Sequence, residues 1–569
     1  MTGPMREQRA NEMGTGSTEI LKRRILKLDA RDNVVVALED LRAGEEIAVD
    51  GARVRTVDAV PAKHKFALEP LAAGAAVTMY GVLVGRARVE IAAGGLLTTA
   101  NLAHESAGFS AGRCGWHAWT KPDVERWRGA TFDGYRRADG QVGTRNYWLV
   151  IPLVFCENRN VEALREAFEE ELGYARTRQY RGQVSGLVAD WRGGERGGDG
   201  SATGAGSSRG GFEDRVFKNL DGIRFLTHQG GCGGTREDAR ALCGLLAGYI
   251  HHPNVAGATV LSLGCQNAQS AMLREEMEKR GERTKPVLVF TQQEAGTEQA
   301  LLERAIAETF AALVKANEVR REPAPLSALA VGLKCGGSDG FSGISANPAI
   351  GHLSDMVVEL GGRTVLSEFP ELCGVEQELI DRCETAEAAE RFAGLMRAYE
   401  ARARAVNSGF EMNPSPGNIR DGLVTDAMKS AGAARKGGTA PVADVLDYPE
   451  YLRRDGLTLL CTPGNDVEAV TGQVGAGATV VLFTTGLGTP TGNPIAPVMK
   501  LATNARLAEH MPDIIDVDTS AILRGEATVE EMGERILAEV IEVASGRRET
   551  CAERLRQEDF IPWKRGVSL

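Results

Sequence analysis

From residue 144 onward the sequence alternates short apolar runs with stretches of helical spacing, and this alternation constrains the fold more than any other feature. "YWLVIPLVF" is followed by "NVEALREAFEEEL", "IRFLT" by "REDARALCGLLAGYI", and "ATVLSLG" by "SAMLREEMEKR". Runs that stay apolar throughout suit strands covered on both faces, so the rhythm predicts an α/β body with mainly parallel sheets. Upstream, residues 20–104 read differently. Short strands such as "EIAV", "KFALEP" and "AVTMYGVLVG" are bounded by Gly, Asp or Pro, which predicts a small β-rich module.

At 569 residues the chain exceeds a single core. We expect the module at 19–104, a linker at 105–143, an α/β domain at 144–412 and a C-terminal α/β domain at 413–569, where "NPSPGN" stops a preceding helix. A Gly/Ser-rich insertion at 191–211 reads as a surface loop or a lid over a site. The net charge of −11 argues against a nucleic-acid surface. The sequence offers no signal peptide and no membrane-spanning window, so a soluble, cytoplasmic protein with no membrane partner is expected. Ten cysteines without a CxxC pair point to reduced thiols.

Several of those cysteines fall where apolar runs end. Cys156 follows "WLVIPLVF", Cys232 sits in "HQGGCGGTRED" after "IRFLT", Cys265 ends "ATVLSLGC", and Cys335 ends "LAVGLKC". The C-terminal strand ends of an open α/β sheet form its ligand crevice, and the helix N-termini there favour thiolate. Cys232, Cys265 and Cys335 are therefore expected to share one metal site, with Cys156 as a fourth ligand. The alternative is that each only fills core space.

"LKCGGSDGFSGISANPAIG" gathers Lys334, Ser338 and Asp339 in a Gly-rich loop suited to an anionic or hydroxylated ligand, without a nucleotide-binding pattern. His64, with its neighbour Lys65, and His228 are the candidates for proton transfer. Glu368 and Glu371 could bind a metal or shuttle protons, or could cap the next helix.

Together, "DNVVVAL", "HKFAL", "GQVGTRNYW", "HPNVAGATVLSLGCQN", "KCGGSDGFSGISANPAIG", "NPSPGN", "PGNDVEAVTG", "FTTGLGTPTGNP" and the terminal "RGVSL" resemble the altronate and galactarate dehydratases, hydro-lyases of acidic sugars. The resemblance runs from about Glu19 to the end and favours the altronate branch. It implies a β-clip module of the SAF type on a larger α/β body. It also implies loss of water from an aldonic acid, D-altronate first, giving 2-keto-3-deoxy-D-gluconate in hexuronate breakdown. The implied cofactor is ferrous iron, with manganese or an iron–sulfur cluster as alternatives, and a homo-oligomer is expected. On this reading Arg145, with Asn146, receives the substrate carboxylate, because a guanidinium matches it bidentately, or else Arg145 forms a structural ion pair that anchors the linker. Alternatives are a galactarate dehydratase, a related sulfo-lyase, or a binding protein without turnover. The chain departs from its relatives at Thr98 and Ala100, where a His-x-His pair is common, and in "DAMKSAGAARKGG", which keeps Lys429 and Ser430 of a Glu-rich stretch but not its carboxylate or its thiol.

Overall fold

A computed structural model describes residues 24–112, 119–175, 179–192, 215–281 and 284–568. The expected insertion lies, from residue 193 to 211, outside the described residues, as does Cys114. The N-terminal module is built from short antiparallel strands. Ile25–Leu26, Val34–Ala37 and Lys65–Ala67 form one sheet, Glu46–Val49 and Ala52–Arg55 a hairpin, and Ala76–Met79, Val82–Ala87 and Leu102–Ala103 another sheet.

Two parallel sheets make the body. The first has four strands in the spatial order Gly222–Phe225, Tyr147–Pro152, Val255–Ser262, Val287–Thr291. The second has seven: Val442–Leu446, Gly456–Leu460, Arg363–Leu366, Ala330–Cys335, Val480–Thr485, Val498–Ala502, Val517–Asp518. Tyr147–Pro152 and Val480–Thr485 are buried along their whole length, which is why these runs carry no polar alternation.

Two expected boundaries move. The run ending at Cys335 and the strand Arg363–Leu366 belong to the seven-stranded sheet, so the division between the two α/β units falls between Ala316 and Leu326 and not at 413. The cause is topological, since "NPSPGN" breaks a helix inside the second unit. The segment read as a linker contributes Thr131–Arg136 and Val142–Gly143, which pair with each other and, through the former, with Glu322–Pro325. The C-terminal helix Val529–Ala544 appears where its spacing predicts, opened by a capping box of Thr528 and Glu531. No described helix is long and apolar enough to cross a membrane.

Candidate active site

In the four-stranded sheet the chain lays its second strand on one side of the first and its third on the other. The order therefore reverses between Tyr147–Pro152 and Val255–Ser262, where an α/β sheet opens a crevice beyond its strand tips. Cys156 and Cys265 follow these two strands, and Cys232 follows their neighbour Gly222–Phe225. The three loops are laced together. Phe155 N–H donates to Gly230 O (3.1 Å) and Ala268 N–H to Gly231 O (3.1 Å), so the Cys232 loop is bound to both others. Gly231 has φ +97, and a Cβ there would lie 2.1 Å from Leu153 O, so no other residue lets the loop approach so closely.

Of nine described cysteines, six are buried, and the three exposed are Cys156, Cys232 and Cys265. Core filling is open to the six and fails for these three. Their sulfurs are not all within 4.8 Å of one another, the span within which three ligand atoms could hold one ion.

Beside them lies a cavity of about 390 Å³, lined by Asn158, His228, Gln229, Cys232, Asn267 and Lys564 among others. Thr235 caps the 16-residue helix Arg236–His251 at its edge, where the helix N-terminus favours an anion against the opposing charge of Glu237 and Asp238 in the first turn. The C-terminal tail forms the opposite wall. Asp238 accepts from Arg565 N–H (3.0 Å) and Gly566 N–H (2.9 Å), Arg565 Nη1 donates to Asp447 (2.9 Å), and Trp563 stacks on Tyr399. That anchoring accounts for "RGVSL" among the family-like segments.

His228 lines the cavity but does not act as a free base. Its Nε2 meets Pro152 O (2.8 Å) and its Nδ1 accepts from Gly230 N–H (3.1 Å), so the ring is neutral with its proton on Nε2. Burial lowers its pKa further. The imidazole fixes the thiol loop to the strand tip.

The other expected residues gather elsewhere. Cys335 is buried at the tip of the seven-stranded sheet, where its thiol meets Ser338 Oγ (2.8 Å), so it does not join the other three cysteines. Cys335 ends a strand of the other sheet, so it leaves the expected shared site, and Cys156, Cys232 and Cys265 remain its candidates. Lys334 is buried with all its donors taken by Cys335 O (2.9 Å), Asp466 (2.8 Å) and Glu368. Glu368 also pairs with Lys436 (2.8 Å), and Glu371 pairs with Lys429 (2.8 Å). The two glutamates are thus members of a buried ionic network, with Glu368 in the left-handed region at φ +68.

Asp339 accepts from Lys63 (3.1 Å), Thr503 (3.0 Å) and Asn504 (3.1 Å), which ties the N-terminal module to the body. Arg145 is also committed. It forms a bidentate pair with Glu553 (2.7 and 3.0 Å) and donates to Thr144 O and Val543 O, while Asn146 bonds Asn219 O and Ala316 O. The guanidinium therefore clasps the fold with four of its five N–H donors and has no fork left for a substrate carboxylate. The cavity is lined instead by Lys564, a cation not among the expected residues, which directly precedes "RGVSL" and donates to Ser568 Oγ (2.6 Å).

His64 and Lys65 dock against Gly422 and do not line the thiol cavity. Burial lowers Lys65 to about 7, against the attraction of Asp339, and Lys63 opposes its charge. Between about 7 and the ordinary 10.5, an unfolded Lys65 binds a proton that the folded one releases, so this residue makes stability rise with pH. We expect the wild-type Tm to gain on Lys65→Met between pH 7 and 9. A constant Tm difference over that range would show that Lys65 does not titrate there.

Models of three domains match the chain in order: the altronate/galactarate dehydratase SAF domain over residues 23–105, the D-galactarate dehydratase/altronate hydrolase second domain over 134–317, and the D-galactarate/altronate dehydratase C-terminal domain over 326–568. The latter two meet at the boundary drawn above from sheet membership. The altronate dehydratase of Escherichia coli K12 is 34% identical over 96% of this chain and 99% of its own length. That of Bacillus subtilis 168 is 32% identical over 96% and 99%. The L-threo-forming galactarate dehydratase of E. coli K12 is 28% identical over 93% and 94%.

Proposed function

The chain belongs to the altronate/galactarate dehydratase family, and from that membership we propose that it converts D-altronate to 2-keto-3-deoxy-D-gluconate at the crevice of the four-stranded sheet. It is a hydro-lyase of sugar acids. What supports the placement is that the loops after three strands, each with an exposed cysteine, are hydrogen-bonded to one another at a strand-order reversal, beside a cavity that Cys232 lines. The altronate preference rests on two relatives of that name being more similar to the chain than the galactarate enzyme.

The C2 proton beside an ionised carboxylate is very weakly acidic, so the site must stabilise charge that spreads into that carboxylate. Iron held by Cys156, Cys232 and Cys265 would supply Lewis acidity to the substrate carboxylate and hydroxyl, and soft thiolates select it over magnesium. The protein's own groups position the acid. Lys564 and the N-terminus of Arg236–His251 meet the carboxylate, and Gln229 and Asn267 lie within reach of the hydroxyls. The thiolate ligand set favours an iron–sulfur cluster as the form of that iron.

A parallel assay of iron-reconstituted protein on altronate, galactarate and related aldonic acids tests the reading. Altronate is expected to give the highest kcat/KM. A higher value on galactarate would overturn the substrate, and sulfite release from a sulfonated hydroxy acid without sugar-acid turnover would overturn the reaction.

A further inference from the structure

We propose that His104, Cys373 and Asp426 form a second metal site, specific for one borderline divalent cation such as zinc or ferrous iron. The site joins the N-terminal module to the C-terminal domain. His104 follows the module's last strand, Leu102–Ala103. Cys373 follows the turn Phe369–Leu372, and Asp426 opens the helix Asp426–Ala434. Their ligand atoms lie within 4.8 Å of one another.

The unspent atoms point to an absent partner. Asp426 is fully buried, its Oδ1 accepts from Asn413 Nδ2 (3.1 Å), and beyond the neighbouring Cys373 thiol its Oδ2 has no hydrogen-bond partner. His104 Nδ1 is buried and likewise unpartnered. A buried carboxylate oxygen and an imidazole nitrogen left unsatisfied together are costly unless something binds both. The thiol excludes calcium and magnesium, and the sulfur, nitrogen and oxygen set matches zinc, cobalt or ferrous iron.

Charge around the trio suits a cation. Glu376 lines the adjoining cavity and Glu371 lies near Asp426, while two nearby cations, Lys429 and Arg404, are paired to Glu371 and Glu411, and Arg397 also lines the cavity. Three protein ligands leave a fourth position open, and a cavity of about 390 Å³ adjoins His104 and Cys373, also lined by Glu400 and Arg404. The site is separate from the Cys156, Cys232 and Cys265 loops, and it stands or falls independently of the substrate.

Cobalt(II) titration of the metal-stripped full chain tests it. One equivalent should give the near-ultraviolet band of thiolate-to-cobalt charge transfer with visible bands of four-coordinate cobalt. These should persist in a Cys232→Ser/Cys265→Ser double variant and vanish in Cys373→Ala. His104→Gln alters only a partly exposed module end, so it should fold, keep the charge-transfer band and weaken binding at least ~10-fold. Binding of unchanged strength in His104→Gln, or bands lost only in the Cys232/Cys265 variant, would overturn the assignment.

Discussion

Cys232→Ser, prepared anaerobically, is expected to lose iron and acid-labile sulfide together and to fall at least ~100-fold in kcat/KM, since loss of a mere outer-shell partner already costs up to about that much. Cys265→Ser and Cys156→Ser should behave alike, because the three loops form one hydrogen-bonded edge. Cys335→Ser is the control that keeps its iron, since its thiol is buried against Ser338 on the other sheet. Sulfide-free iron in the wild type would replace the cluster by a single ion. Full iron content and activity in all three variants would leave these cysteines as plain surface thiols.

Glu368→Gln is expected to produce the largest loss of stability. Glu368 sits between two buried ammonium groups, and removing its charge leaves Lys436 without its carboxylate while Lys334 keeps only Asp466. Breaking a buried pair from one side costs about 3–5 kcal/mol. For a unit of this size that is a fall of roughly 6–20 °C in Tm. Lys436→Met added to the variant should recover part of the loss, because it removes the uncompensated charge.

The wild type also carries a pH signature. Burial opposes ionisation of Glu368, but Lys334 and Lys436 outweigh it and hold the carboxyl well below its ordinary 4.5. Below 4.5 the unfolded chain takes up the proton first, so the stability from Glu368 is full above that pH and declines as pH falls. Glu368→Gln should lack this decline. An unchanged acid limb, or a Tm within a degree or so of wild type, would show that the network contributes little.

The layered fold could be read along the chain because its signals are local. An apolar run without alternation states that a strand is covered on both faces, and "TVEEMGERIL" states a capped amphipathic helix, whatever surrounds them. The family could be read for the same reason, in short segments preserved in order. That cysteines would mark strand tips was also visible, since each ends an apolar run.

Partnership between distant residues was not visible. Nothing in "GTRNYW" reveals that Glu553 claims both arms of Arg145, and nothing in "HQGGCGG" reveals that both nitrogens of His228 are bound by backbone. "VLSEFPEL" displayed Glu368 and Glu371 but not the lysines that pair with them, of which Lys334 lies in an earlier strand and Lys429 and Lys436 lie some sixty residues later. The sequence by itself determined the α/β layers, the module, the family and the thiols at the strand tips. Only the tertiary structure decided which thiols share a sheet edge, because strand order and not sequence order places them, and which polar groups remain free for a ligand once the fold has used the rest.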